Sequence, residues 1–270
     1  WITAANINLD SSDELILAYS WYVSGSGLYS GLWTYDHVDF SQQSGFIDHQ
    51  RQHEDALTAG IHAIGDIAGS ADQIALSRQR TGPDGQAWVI DADDLSTYES
   101  CTQPTTASSY IQCCVLADWD ELIPGLDRII APAENQCMAW DEDYDLLEVW
   151  DNTYELSTSC QVVPMPALAN LVAESGYQTS EVIVGTKDGW VNAYDVNRDE
   201  VTELGFPYQL PSEVVGGFVA ADIDLDGKLE LVFGTMDNYL HVWELGSCPV
   251  GYAPWPQTQH DAMRTGALLE

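Results

Sequence analysis

Five short β-rich runs recur along this chain, and their spacing limits its fold more than any other feature. They are ELILAYS from Glu14, QIALSRQ from Gln73, RIIAPAE from Arg128, EVIVGTK from Glu181 and ELVFGTM from Glu230. The starts lie 59, 55, 53 and 49 residues apart. After each run comes a second strand-like run ending in an apolar residue and an acid. These ends are Tyr35-Asp36, Ile90-Asp91, Trp150-Asp151, Tyr194-Asp195 and Trp243-Glu244. The turn between the two runs is compact in TKDGW and TMDNY and longer in the first three repeats, as in SWYVSGSGLYSG. Ahead of each run sits another apolar strand, such as MPALANL or GGFVAADI; behind it comes a Pro- or Gly-bearing one, such as ELGFPYQLPSE.

Four short strands per unit, repeated at this spacing with almost no helical periodicity, are the pattern of propeller blades. The expected fold is all-β: a β-propeller of about five four-stranded blades, or part of a larger propeller. One domain spans 1–270, with repeats at about 1–52, 53–108, 109–162, 163–213 and 214–270. The chain starts on an inner-type strand and ends on an outer-type segment. That phase suits a ring closed by joining its ends, or a head-to-tail junction between copies.

The last repeat carries an acidic loop, ADIDLDGKLE, just before its β-run. Asp222, Asp224 and Asp226 alternate, followed by Gly227 and Glu230. Like charges this close repel unless a cation neutralises them. Calcium takes 6–8 oxygen ligands from carboxylates, carbonyls and water. Here the side chains of Asp222, Asp224, Asp226 and Glu230 and the backbone carbonyl of Lys228 can supply them, with Gly227 allowing the turn. An EF-hand is excluded, because it needs its bidentate Glu at position 12, where this loop has Phe233. The first repeat, AANINLDSSDE, aligns without gaps, so Asn6, Asn8, Asp10 and Glu14 form a second, weaker calcium candidate. The middle loops lose the pattern: Asp66 is followed by Ala68 and Ser70, Asp118 and Asp120 by an insertion, Asn170 by Val172. They are expected to hold no ion or a poor one.

These residues resemble the FG-GAP or VCBS-type repeats of integrin-like β-propellers. ADIDLDGKLELVFGT is similar to that family's calcium loop and Phe-Gly strand, EVIVGTKDGWVNAYD to the same blade without its loop, and APWPQTQHDAMRTG to the ends of secreted propellers of this type. The resemblance is specific over about 165–266. It implies a structural rather than catalytic calcium ion, held by Asp222, Asp224, Asp226, the Lys228 carbonyl and Glu230. Propellers of that family commonly have more than five blades.

Charge and cysteines bound the setting. The chain has 43 acidic and 8 basic residues, a formal net charge of −35. That argues against nucleic-acid and anionic-membrane partners, which need basic patches, and fits a protein kept soluble by self-repulsion in an ion-rich medium. No apolar run is long enough for a transmembrane helix, and no signal peptide is present in this sequence. Cys101, Cys113, Cys114, Cys137, Cys160 and Cys248 match no zinc spacing. An even count suits disulfides outside the cell, and at least two bridges are expected, with pairing open.

Catalytic signatures are thin. His49 and His53 are spaced i, i+4 but lack the H-E-x-x-H glutamate, and His260-Asp261 falls in the tail motif. There is no G-x-S-x-G elbow, P-loop or G-x-G-x-x-G. Acid pairs such as DADD at 91–94 and DEDYD at 141–145 are expected by chance in so acidic a chain, and DEDYD lacks the turn glycine of a calcium loop. Trp88, Trp150, Tyr194 and Trp243 are expected at equivalent strand positions and read as inter-blade packing residues, while Trp21 and Tyr22, in the long first turn, can stack on sugars.

The expected function is an extracellular, calcium-stabilised, non-enzymatic propeller serving binding, adhesion or self-assembly. Its partner is a second copy, another surface protein or a glycan. The alternative is a propeller that binds or degrades polysaccharide, as a lyase or glycosidase. A quinone-dependent dehydrogenase is disfavoured for want of a cofactor signature.

Overall fold

Alternating short strands and turns form five consecutive antiparallel sheets in this computed structural model. It describes residues 2–5, 14–23, 27–35, 42–48, 63–65, 67, 73–78, 86–91, 98–101, 114–117, 128–133, 136–141, 143, 146–151, 165–171, 180–195 and 199–249. The first sheet holds β1 (Ile2–Ala5), β2 (Glu14–Val23), β3 (Gly27–Tyr35) and β4 (Gln42–Asp48). The second holds β5 (Ala63–Gly65), β6 (Gln73–Arg78), β7 (Gln86–Asp91) and β8 (Tyr98–Ser100). The third holds β9 (Val115–Ala117), β10 (Arg128–Ala133), β11 (Gln136–Trp140) and β12 (Leu146–Asp151). The fourth holds β13 (Ala167–Ala169), β14 (Glu181–Gly185), β15 (Trp190–Tyr194) and β16 (Tyr208–Gln209). The fifth has β17 (Val214–Ala221), β18 (Lys228–Thr235) and β19 (Leu240–Pro249) among the described residues. In every sheet, neighbouring strands are neighbours in sequence. This is the meander of a propeller blade.

One register runs through all five sheets. The last residue of the first strand is small: Ala5, Gly65, Ala117, Ala169 and Ala221. Each pairs with the first residue of one of the recurring runs: Glu14, Gln73, Arg128, Glu181 and Glu230. The spacing seen in sequence is therefore the spacing of equivalent positions in space.

Two expectations are corrected by register. Trp150 does not end the third strand of its blade. It lies on the outer strand β12 opposite Cys137, and Trp140 holds the position of Tyr194 and Trp243. Trp88 is likewise offset, with Ile90 at that position. Trp21 and Tyr22 are not in a turn; β2 and β3 run on as a long hairpin that pairs them with Tyr29 and Leu28. Aromatic and β-branched residues such as Trp21, Tyr22 and Val23 suit a pleated ribbon, and they extend it into the segment expected to be a long turn.

The faces of the sheets pack on one another. In the fourth sheet, Leu168, Val182, Val184 and Tyr194 join a core shared with the second and third sheets. Its opposite face, with Ala167, Ile183, Val191 and Ala193, joins a core shared with Phe218, Leu231 and Phe233 of the fifth. A bulge between Val215 and Val219, with Gly216 at φ 74°, interrupts the β17 ladder near Phe218. At Gly185 the contact is so close that a Cβ would lie 2.8 Å from Phe218 Cζ and 3.0 Å from Val214 Cγ1. Phe218 and Phe233 pack with ring centroids 5.2 Å apart.

Cys101, Cys114 and Cys137 are buried thiols within the apolar core. At these three positions the expectation of disulfides gives way to cysteine acting as a small hydrophobe. Burial, reinforced by the charge of Asp141, pushes the Cys101 thiol well up from its ordinary value. Cys113 and Cys160 lie outside the described residues, as does the side chain of Cys248. So do His49, His53, His260 and Asp261. No helix among the described residues is long and apolar enough to cross a membrane.

Candidate metal centre

The acidic loop joins β17 to β18, and its backbone explains why Asp and Gly recur there. Leu225 and Gly227 both have positive φ, 62° and 90°. Glycine adopts that region without strain, whereas a leucine there is unusual. The two left-handed residues help turn the chain so that the three aspartates converge. Oxygens of Asp222, Asp224 and Asp226 lie within 4.8 Å of one another, and this is the one such acidic trio among the described residues. At that separation each pair repels by at least roughly 0.9 kcal/mol even at the dielectric of water.

Each aspartate spends one oxygen on the loop backbone. Gly227 N–H donates to Asp222 Oδ2 at 3.1 Å, Asp226 N–H to Asp224 Oδ1 at 3.1 Å, and Lys228 N–H to Asp226 Oδ1 at 2.9 Å. Other oxygens remain for a cation. Two of them are buried with no hydrogen-bond partner: Asp222 Oδ1 and Glu230 Oε1. A buried polar atom left so costs about 1–3 kcal/mol, and a hard cation would relieve it. The donor set, all oxygen and strongly anionic, fits calcium.

Glu230 is not one of the three converging acids. It is only 5% exposed, and its Oε2 accepts the N–H of Ile223 at 2.7 Å. The same position does the same task in other blades. Glu181 Oε2 accepts the N–H of Leu171, and Gln73 Oε1 accepts that of Ile67 at 2.9 Å. The first residue of the second strand is thus a clamp on the loop before it. Glu230 keeps that role and has a second oxygen to offer. The sequence held a signal for this clamp: Glu or Gln opens four of the five runs.

The Lys228 side chain was missed. Its Nζ bridges Asp226 Oδ2 at 3.1 Å and Glu244 Oε1 at 2.8 Å. The hydrogen bond to Glu244, then that to Asp226, raises the ammonium above its ordinary value. It ties the loop to the last strand and offsets part of the acidic charge. The Lys228 carbonyl stands at the first residue of β18. Ile223 and Leu225 beside it are exposed.

The other candidates are placed less fully. Asn6, Asn8 and Asp10 lie outside the described residues, while Glu14 opens β2 opposite Ala5 as Glu230 opens its run opposite Ala221. In DEDYD, Asp143 N–H donates to Asp141 Oδ1 at 3.0 Å, an ordinary aspartate turn. At the other end of the blades the compact turns match. Thr186 Oγ1 donates to Asp188 Oδ1 at 2.7 Å, and Thr235 Oγ1 to Asp237 Oδ1 at 2.6 Å. Gly189 in one turn and Asn238 in the other take the same left-handed conformation, at φ 91° and 68°.

No family profile and no curated protein sequence matches the chain. Solved structures do. BBS1N in complex with ARL6DN superposes over 94% of this chain, at 12–13% identity and TM-scores of 0.53 and 0.55 in two crystals. The V. cholerae biofilm matrix protein Bap1 superposes over 94% of the chain, at 16% identity and a TM-score of 0.51. The chain spans 66–67% of the BBS1N chain and 38% of Bap1. These neighbours are β-propellers, and the chain shares their fold.

Proposed function

We propose that this chain is an extracellular, calcium-braced β-propeller of the FG-GAP or VCBS type that builds assemblies of itself, without catalysis. The observation that carries the reading is the Asp222–Asp224–Asp226 trio with two orphaned buried oxygens beside it. Calcium there joins β17 to β18 and braces the last blade. An ion that binds only the folded chain at ten times its Kd adds about 1.4 kcal/mol. The acidic surface, with a net charge of −35, suits an ion-rich exterior. Bap1 is itself a biofilm matrix protein, and a structural role outside the cell is consistent with a shared fold. Surface proteins and glycans are secondary partners of the same outward faces.

Sedimentation velocity over a range of concentrations, in calcium and after chelation, tests this. Growth with concentration that shrinks on chelation supports it. A monomer at every concentration in calcium contradicts it.

A further inference from the structure

The three converging aspartates are not equally available to a cation. Asp222 gives Oδ2 to the Gly227 N–H and keeps Oδ1 buried with no hydrogen-bond partner. Asp224 gives Oδ1 to the Asp226 N–H at 3.1 Å. Asp226 has both oxygens held, and by one residue. Its Oδ1 accepts the Lys228 N–H at 2.9 Å, and its Oδ2 faces Lys228 Nζ at 3.1 Å. The same ammonium reaches Glu244 Oε1, on β19, at 2.8 Å. The chain has only 8 basic residues against 43 acidic ones, so a positive charge shared between a loop aspartate and a strand glutamate calls for a reason.

That charge bears directly on calcium. A carboxylate oxygen shared with an ammonium has less charge to offer a second cation. The ammonium would also stand within about 5.5 Å of a calcium ion on Asp226 Oδ2, given 3.1 Å to the oxygen and a calcium–oxygen distance of about 2.4 Å. A single and a double positive charge at that separation repel even at the dielectric of water, enough to weaken binding roughly ten-fold at low salt. Glu244 acts in the opposite sense. It draws the ammonium toward β19, and of the two acids it does more to keep Lys228 protonated.

We infer that the Lys228 ammonium is a built-in competitor for calcium: it holds Asp226 against the ion, and Glu244 sets how firmly. The inference rests on the calcium reading of the loop and adds what tunes its affinity. A site weakened in this way fills where calcium is abundant, the range in which extracellular calcium modules work. The competing account is a staple, in which the bridge from Asp226 through Lys228 to Glu244 fixes the loop on β19 and so helps the aspartates converge. The two accounts differ in sign.

Isothermal titration of the whole chain with calcium chloride, at low salt, separates them. Lys228→Gln removes the charge and is expected to bind calcium roughly ten-fold more tightly. Lys228→Arg keeps the charge and is expected to stay within a few-fold of the wild type. Glu244→Gln leaves the ammonium to Asp226 alone and is expected to bind several-fold more weakly. The gap between Lys228→Gln and the wild type is expected to narrow as sodium chloride rises, because Lys228 and Asp226 are both partly exposed to solvent. Melting curves in chelator show that each variant folds, and Lys228→Ala, read in the same way, replaces Lys228→Gln if that variant does not. Weaker binding by both Lys228→Gln and Glu244→Gln is the staple's result; it overturns the inference and leaves the calcium site standing. Equal affinity in Lys228→Gln and the wild type overturns it as well. A wild type that takes up no calcium overturns the inference together with the site.

Discussion

Asp224→Ala separates the ion from the fold. Asp224 is exposed, and its one described bond accepts the N–H of Asp226 at 3.1 Å. Losing an exposed bond of that kind costs about 0.5–1.5 kcal/mol. Against it stands relief of repulsion from Asp222 and Asp226, roughly 0.9 kcal/mol for each pair at 4.8 Å in water. The two nearly cancel, so in chelator the variant is expected to melt within about 1 kcal/mol of the wild type, a few degrees at most. Calcium changes the comparison. With the ion at a hundred times its Kd, the wild type gains about 2.7 kcal/mol. At about 2–4 °C per kcal/mol for a large domain, that is a rise of roughly 5–11 °C. Asp224→Ala removes one of three converging carboxylates and is expected to lose most of that rise. The assay is differential scanning fluorimetry of both proteins with calcium, magnesium and chelator. A wild type that does not respond to calcium, or a variant that keeps the full response, would refute the metal assignment.

Other outcomes follow from the packing. Glu181→Gln keeps an acceptor for Leu171 N–H, as Gln73 does for Ile67, and is expected to be nearly neutral, whereas Glu181→Ala strands a buried donor and costs about 1–3 kcal/mol in chemical denaturation. Gly185→Ala drives a methyl to 2.8 Å from Phe218 and is expected to cost about 1–3 kcal/mol by overpacking; an unchanged denaturation midpoint would contradict the inter-blade contact. Burial raises the Cys101 thiol, so the fold keeps a proton that the unfolded chain releases above 9.0. Stability from this group is therefore full below that pH and falls above it by about 1.4 kcal/mol per pH unit; Cys101→Ala should flatten the alkaline side of a pH–melting curve by that slope.

Most of the fold was legible because strand starts are marked by local chemistry. The five runs begin where the structure pairs them, since a Glu or Gln opens four of them and a β-rich stretch follows in all five. The acidic loop was legible for the same reason. The third blade was misread because Trp140-Asp141 and Trp150-Asp151 look alike, and only hydrogen-bond register tells them apart. Trp21 and Tyr22 were assigned to a turn because Ser and Gly around them mark loops, whereas pairing with Leu28 and Tyr29 carries the ribbon on. Six cysteines gave a count without positions, and three of them lie in an apolar core. The Lys228 bridge to Glu244 spans 16 residues, and no short motif carries a contact made across two strands. The exposure of Leu240 and Val242 is a tertiary fact, since they read in sequence like Val191 and Ala193, which hold the same register in the fourth sheet and are buried.

Native mass spectrometry in calcium, repeated after chelation, reads the ion and the assembly in one spectrum. A calcium-braced building block predicts at least one ion per chain and oligomers that lose subunits when the ion is stripped. A metal-free monomer that is unchanged by chelation would contradict it.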